Sequence, residues 1–305
     1  MGKKAFIFPG QGSQHVGMAK DLFDKSVEAK EMIKTAEEAT GVALSHIMFN
    51  GPEDSLKQTD ITQPAIFVHS VVLSSIIRLL EPDMVAGHSL GEYSALVAAN
   101  VIQYYDAVKL VHTRGSAMLQ AGIERSGTMA AVVGMESTLI DKICEEVSAE
   151  VDIVQCANYN SPGQIVISGS VEGVKAAMVK AKESGAKLVK ELVVSGAFHS
   201  PLMESAKEKL QQKLNQTSFY DAKYPVYVNV TAEPLTNKDE FPDMLFKQLS
   251  SPVRWEETVK NMIRDGAEEF YEIGPGKVLQ GLVKRIDPNV KVFGISTFED
   301  VERYL

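Results

Sequence analysis

Residues 87–91 read Gly-His-Ser-Leu-Gly, a G-x-S-x-G pentapeptide. About 0.1 such matches arise by chance in a chain this long, so the surroundings must carry the argument. The motif lies between a short strand-like run at 83–87 and a stretch with Leu90, Tyr93, Leu96 and Val97 at helical spacing. A nucleophile elbow must sit at such a junction. The sharp turn lifts the Ser89 hydroxyl out of the sheet, the flanking glycines let backbone crowd together, and the following helix points its amide dipoles at developing negative charge. A capping serine at a tight strand-to-helix turn would leave the same trace.

Serine needs a neighbouring base to take its proton. The histidines are His15, His46, His69, His88, His112 and His199. His88 adjoins Ser89, but adjacent side chains diverge at a turn, so it supports or lines the site. His69 and His112 fall in apolar helical stretches and read as core or boundary residues. His199, in "SGAFHSPLM", follows a strand-like run and precedes Ser200-Pro201 at a helix start. It therefore lies in a loop, where a base can face a cleft. In "DAVKLVHTRGSAMLQAG", Arg114 falls within the buried stripe of Ala107, Leu110, Val111, Met118 and Ala121. A buried guanidinium either pairs with a protein carboxylate or awaits an anion. Its fork suits a carboxylate. A nucleophilic serine beside it points to an acyl donor with a free carboxylate at its far end.

"FPGQGSQ" at 8–14 opens a G-x-G-x-x-G spacing at Gly10 and Gly12, but His15 stands where the third glycine belongs and no well-placed acid follows a second strand, so a dinucleotide site is not supported. The 305 residues are 45% hydrophobic and 23% charged, with a net charge of −9, which argues against a nucleic-acid binder. Cys144 and Cys156 match no zinc or redox spacing and read as buried reduced thiols. The N-terminal apolar run is too short for a signal peptide, Phe6 stands where myristoylation wants Ser or Thr, and the apolar stretch at 66–80 is too short for a bilayer. A soluble, cytoplasmic protein is expected.

The elements that must position these residues alternate, strand with helix, which indicates an α/β class with a mostly parallel sheet. "KKAFIF" (3–8) reads as a strand, followed by a helix near 17–23, a long helix near 63–80 and a strand at 83–87. "YPVYVNV" (224–230), "EEFYEIG" (268–274) and "VKVFGIS" (290–296) read as later strands. Between 126 and 194 the pattern is strand-helix-strand twice, a ferredoxin-like order, with helical stripes Leu139, Ile143, Cys144, Val147 and Val174, Ala177, Met178, Ala181. The expected organisation is a large catalytic α/β domain at 1–125 and 195–305, hydrolase-like in plan, with 126–194 inserted as a subdomain.

Taken in order, "FPGQGSQ" (8–14), "TQPAIF" (62–67), "GHSLGEYSAL" (87–96), Arg114, "NYNSPGQIVISG" (158–169), "GAFHSPLM" (196–203) and "QLSSPVRW" (248–255) span essentially the whole chain. The set resembles the malonyl-CoA:acyl carrier protein transacylases of fatty-acid synthesis, relatives of polyketide acyltransferase domains. The resemblance implies a Ser89–His199 dyad, an oxyanion site from the backbone amides of Gln11 and Leu90, and a Gln248 backbone carbonyl orienting the histidine. It implies that Arg114 holds the malonyl carboxylate and that Gln63, His88 and Met118 line the substrate site. Asn158, Asn160 and Gln164 become contacts for the thioester carrier, and Phe198 looks like the malonyl-selecting form. The implied partners are malonyl-CoA and acyl carrier protein, with no metal or redox cofactor, no nucleic acid, no membrane and a monomeric chain. Lys187, Lys190, Lys284 and Arg285 are basic groups that an acidic carrier could use, or simply solvated surface. Two rivals remain: an α/β serine hydrolase, for which "FPGQGSQ" replaces the HGGG loop and Asp141 or Glu191 is poorly placed as the acid, and a catalytically silent carrier-binding module.

Overall fold

The computed structural model describes residues 2–305. Ten strands follow the chain: β1 (Lys3–Phe8), β2 (Met84–Gly87), β3 (Gly127–Val133), β4 (Val154–Ser161), β5 (Gln164–Ser170), β6 (Leu188–Glu191), β7 (Val226–Tyr227), β8 (Pro234–Leu235), β9 (Ala267–Ile273) and β10 (Lys291–Ile295). Six form one sheet in the order β10-β9-β1-β2-β7-β8, parallel except for the β7–β8 pair. Four form a separate antiparallel sheet, β4-β5-β3-β6.

The parallel sheet is buried on both faces, which explains why its strands are apolar runs and not alternating ones. Phe6 and Phe8 of β1 enter one core with Val85 and the helix Thr59–Ile76, while Ala5 and Ile7 enter the other with Met84, Tyr227 and Trp255. Phe8 pairs with Gly87, so β1 and β2 end side by side and the loops after them emerge together. Open α/β sheets hold their ligands at these carboxyl ends. The helix Thr59–Ile76 packs along the helix Tyr104–Glu124, bringing Gln63 beside Arg114.

Three readings need correction. The helix expected near 63–80 runs Thr59–Ile76, because Ile77 turns extended and the N–H groups of Arg78 and Leu79 bond to the Tyr304 carbonyl. In the helix Ser137–Glu150, Leu139 is 40% exposed, and Ile140 completes the buried i, i+3, i+4, i+7 set with Ile143, Cys144 and Val147. The strand expected over 224–230 contracts to Val226–Tyr227, because Asn229 leaves the ladder and bonds to groups around Ser89.

The small sheet has two helices packed on it, Ser137–Glu150 and Val171–Glu183, in the strand-helix-strand order repeated twice. It is joined to the parallel-sheet frame beneath the site. Val253 exchanges backbone hydrogen bonds with Ala157 and Tyr159, and the Gln155 amide donates to the carbonyls of His199 (2.7 Å) and Ser250 (3.2 Å). Both cysteines are buried and free. Among the described residues, no helix is long and apolar enough to cross a membrane.

Candidate active site

Ser89 occupies the left-handed region, φ +52°, an unfavourable conformation for a residue with a side chain. One direct tether, and two bonds that anchor the tethering residue, hold it there. Its N–H donates to Asn229 Oδ1 (2.7 Å), the Asn229 amide donates to Gly87 O (2.7 Å), and the Asn229 N–H donates to Glu92 Oε2 (2.7 Å). The motif glycines make room: a Cβ on Gly91 would fall on the Phe8 carbonyl, and one on Gly10 would press the His88 carbonyl. Gly10 thus fits the first loop against the elbow.

Ser89 Oγ lies 2.8 Å from His199 Nε2, and His199 Nδ1 lies 2.9 Å from the backbone oxygen of Gln248. A carbonyl only accepts, so Nδ1 carries the proton and Nε2 is free to accept the serine proton. His199 is buried. Burial first, and the Arg114 cation second, push its pKa down to about 3, so the ring is neutral near pH 7. Asp141 accepts from the Tyr159 hydroxyl and Glu191 from that of Thr128, so neither hydrolase-type acid reaches the histidine.

Arg114 is 1% exposed. Its Nη1 donates to Gln63 Oε1 (2.6 Å), and its Nη2 donates to Ser89 Oγ and Gln248 Oε1, each at 3.0 Å. Its guanidinium sits over the Tyr93 ring, 5.3 Å from the centroid, and Nε has no partner among the described residues. All three acceptors are neutral oxygens. A buried cation so placed is solvated by neutral groups and, among the described residues, is in direct contact with no carboxylate.

These groups open on one cavity of about 210 Å³. Gln11, Gln63, His88, Ser89, Leu90 and Arg114 line it. Met118, Asn158, Asn160, Gln164, Phe198 and His199 line it too, while Gln248 lies behind the lining and reaches the site through its hydrogen bonds. Among the described residues, no backbone carbonyl takes the N–H of Gln11 or Leu90, while the Gln11 side chain is directed to Thr59 Oγ1 (3.3 Å). His88 turns from Ser89 to meet Asn160 Oδ1 (2.8 Å), and Gln63 Nε2 contacts Met118 Sδ (3.3 Å). Arg285 donates to Gln164 at the rim, and Lys284 to the carbonyls of Pro288 and Val290, so those two basic groups already have intramolecular partners.

The acyl transferase domain family matches residues 5–292. The malonyl CoA-acyl carrier protein transacylase of Staphylococcus aureus (strain MW2) is 45% identical over 302 residues, covering 99% of this chain and 98% of that protein. The chain belongs to the malonyl CoA-acyl carrier protein transacylase family. Its namesake in Bacillus subtilis (strain 168) is 44% identical over 99% of this chain and 96% of that one. An acyl carrier protein S-malonyltransferase from Vibrio cholerae superposes with a TM-score of 0.94 at 41% identity, covering 99% of each chain. A malonyl-transacylase solved in complex with its type II PKS acyl-carrier protein gives 0.94 at 37% identity, again over 99% of each.

Four parts of this transacylase site escaped the sequence reading: Glu92, Gln155, Asn229 and the side chain of Gln248. Glu92 is wholly buried, and burial raises its carboxyl to about 7 against the opposing bonds from Asn229 and Gln248. An acid in the apolar run "GEYSALVAA" was as anomalous as Arg114, and that signal could have exposed it. Asn229 was likewise a lone amide in an apolar strand pattern.

Proposed function

We propose that the chain transfers a malonyl group from malonyl-CoA to the phosphopantetheine thiol of an acyl carrier protein, through a malonyl ester on Ser89. The observation that carries this reading is the contact of Ser89 Oγ with both a neutral imidazole and an unneutralised guanidinium in one cavity. His199 Nε2 accepts the serine proton as Oγ attacks the thioester carbonyl. The amides of Gln11 and Leu90 receive the oxyanion, a contribution of roughly 10²–10³ for donors held in place. The carbon–sulfur bond breaks, and coenzyme A leaves with the proton returned by His199. The carrier thiol then gives its proton to His199 and attacks the ester. The malonyl group passes to the new sulfur and Ser89 regains its hydrogen.

The donor's carboxylate takes the Arg114 donor position that Ser89 Oγ occupies in the free site. Substrate binding therefore releases the nucleophile and offsets the positive charge that, second to burial, lowers the His199 pKa. One thioester replaces another with no change of oxidation state, so the reading calls for no redox cofactor. Residues 1–125 and 195–305 act in this reading as the catalytic domain, hydrolase-like in plan, with 126–194 as a ferredoxin-like subdomain. That subdomain presents Asn158, Asn160 and Gln164 to the carrier arm, and Phe198 crowds branched acyl groups.

A serine hydrolase is disfavoured because His199 Nδ1 meets a carbonyl and not a carboxylate. Intact mass spectrometry after malonyl-CoA treatment tests the choice. One malonyl group should appear on the peptide holding Ser89, vanish in Ser89→Ala, and be discharged by holo carrier protein far faster than by water. An adduct that survives Ser89→Ala, or discharge indifferent to the carrier, overturns the proposal.

A further inference from the structure

A buried guanidinium closes on the nearest carboxylate unless something stands between them. For Arg114 that carboxylate is Glu92. Each group feels the other's charge, yet the two are not in ion-pair contact. The side-chain amide of Gln248 occupies the gap. Its Nε2 donates to Glu92 Oε2 (3.1 Å) and Ser89 O (3.0 Å), and its Oε1 accepts from Arg114 Nη2 (3.0 Å). The orientation is forced. Reversed, the amide oxygen would face a carboxylate and a carbonyl, and its NH₂ would face a cation. Glu92 Oε2 is itself held by the Asn229 N–H, and Gln248 is fully buried.

The geometry points to the Gln248 side chain as a specificity-determining spacer, which holds Glu92 and Arg114 apart so that the guanidinium's charge is left for the carboxylate of the acyl donor. An interposed amide hydrogen-bonds both groups without neutralising either. A direct Glu92–Arg114 fork would satisfy the same nitrogens that a donor carboxylate needs. The main-chain oxygen of the same residue aligns His199 and is kept in any substitution, so the two roles of Gln248 can be separated by experiment.

The inference rests on the reading that Arg114 grips the donor's carboxylate, and its test includes that reading as a control. Transfer to carrier protein is measured as kcat/KM with malonyl-CoA and acetyl-CoA for Arg114→Ala, Gln248→Met, Gln248→Glu, Glu92→Gln and the double variant Gln248→Met/Glu92→Gln, each checked by thermal melting. Gln248→Glu supplies a carboxylate in direct reach of Arg114, and Gln248→Met lets the guanidinium turn towards Glu92. Each should lower the malonyl-to-acetyl ratio by roughly tenfold or more, the scale of one charge-assisted hydrogen bond. Adding Glu92→Gln to Gln248→Met removes the capturing carboxylate and should restore most of the ratio. A packing role would instead lower both donors by one factor, and the second substitution would add to the damage. An unchanged ratio in both Gln248 variants, or no recovery in the double variant, overturns the spacer. If Arg114→Ala depresses both donors alike, the underlying reading fails; if it is selective while the Gln248 series is not, the spacer alone fails.

Discussion

In the proposed reading, replacing Arg114 by alanine removes the one charged side chain among the described residues that line the cavity, and with it the means of distinguishing a malonyl from an acetyl donor by charge. A hydrogen bond to a charged group contributes about 1.5–3 kcal/mol, so a bidentate grip has an upper bound of about 3–6 kcal/mol. Part of that is already committed in the free site, where Gln63, Gln248 and Ser89 satisfy the guanidinium. The donor's carboxylate gains chiefly by displacing Ser89 Oγ and by pairing with a cation that meets only neutral oxygens. A net loss of about 3 kcal/mol is the reasonable figure, or about 10²-fold in kcat/KM for malonyl-CoA. Acetyl-CoA has no carboxylate to lose. For it, the substitution frees Ser89 Oγ and removes the second-largest influence depressing the His199 pKa, so transfer should hold steady or rise a few-fold. Glu92, whose carboxyl burial already raises to about 7, loses its nearby cation and moves further up, taking a proton in place of becoming an unpaired buried anion. The assay is steady-state transfer from each donor to saturating carrier protein. Equal losses for the two donors would show that Arg114 only supports the fold, and the reasoning would be wrong.

Asn229→Ala should cost about 2–4 kcal/mol in denaturant melts, because it leaves the Ser89 N–H and Gly87 O buried without partners, and should lower kcat more than it raises KM for malonyl-CoA; an unchanged kcat would mean the elbow holds its left-handed residue without this tether. His69 is buried with its pKa held at about 4 against an ordinary 6.5, so the unfolded chain binds the extra proton between those values. Its contribution is therefore present above pH 6.5 and lost as pH falls towards 4, an effect of about 2 kcal/mol between about pH 7 and about pH 4.5 that His69→Gln should remove from urea titrations compared at those two values; equal acid sensitivity in the variant would refute it.

Much of the site was legible because its signals are local. The elbow announces itself by glycines flanking Ser89 at a strand-to-helix junction, and the structure shows why they are needed. Arg114 stood out because helical periodicity is regular enough for one charge on the apolar stripe to be an anomaly. The same logic would have flagged Glu92 and Asn229. Periodicity was less decisive at the edge of a stripe, where Leu139 and Ile140 compete and only the docked sheet chooses between them.

The chain order alone determined the alternation of strand and helix, the residue types able to do acyl chemistry and the loop that carries His199. Tertiary structure decided which of them meet. Ser89 and His199 touch across 110 positions, and Arg114 and Gln248 across 134, distances over which no local pattern carries information. It also decided charge. A guanidinium and a carboxylate buried on neighbouring helices neutralise one another or stay apart according to a single amide between them, and the interactions that aim that amide come from parts of the chain that only folding brings together.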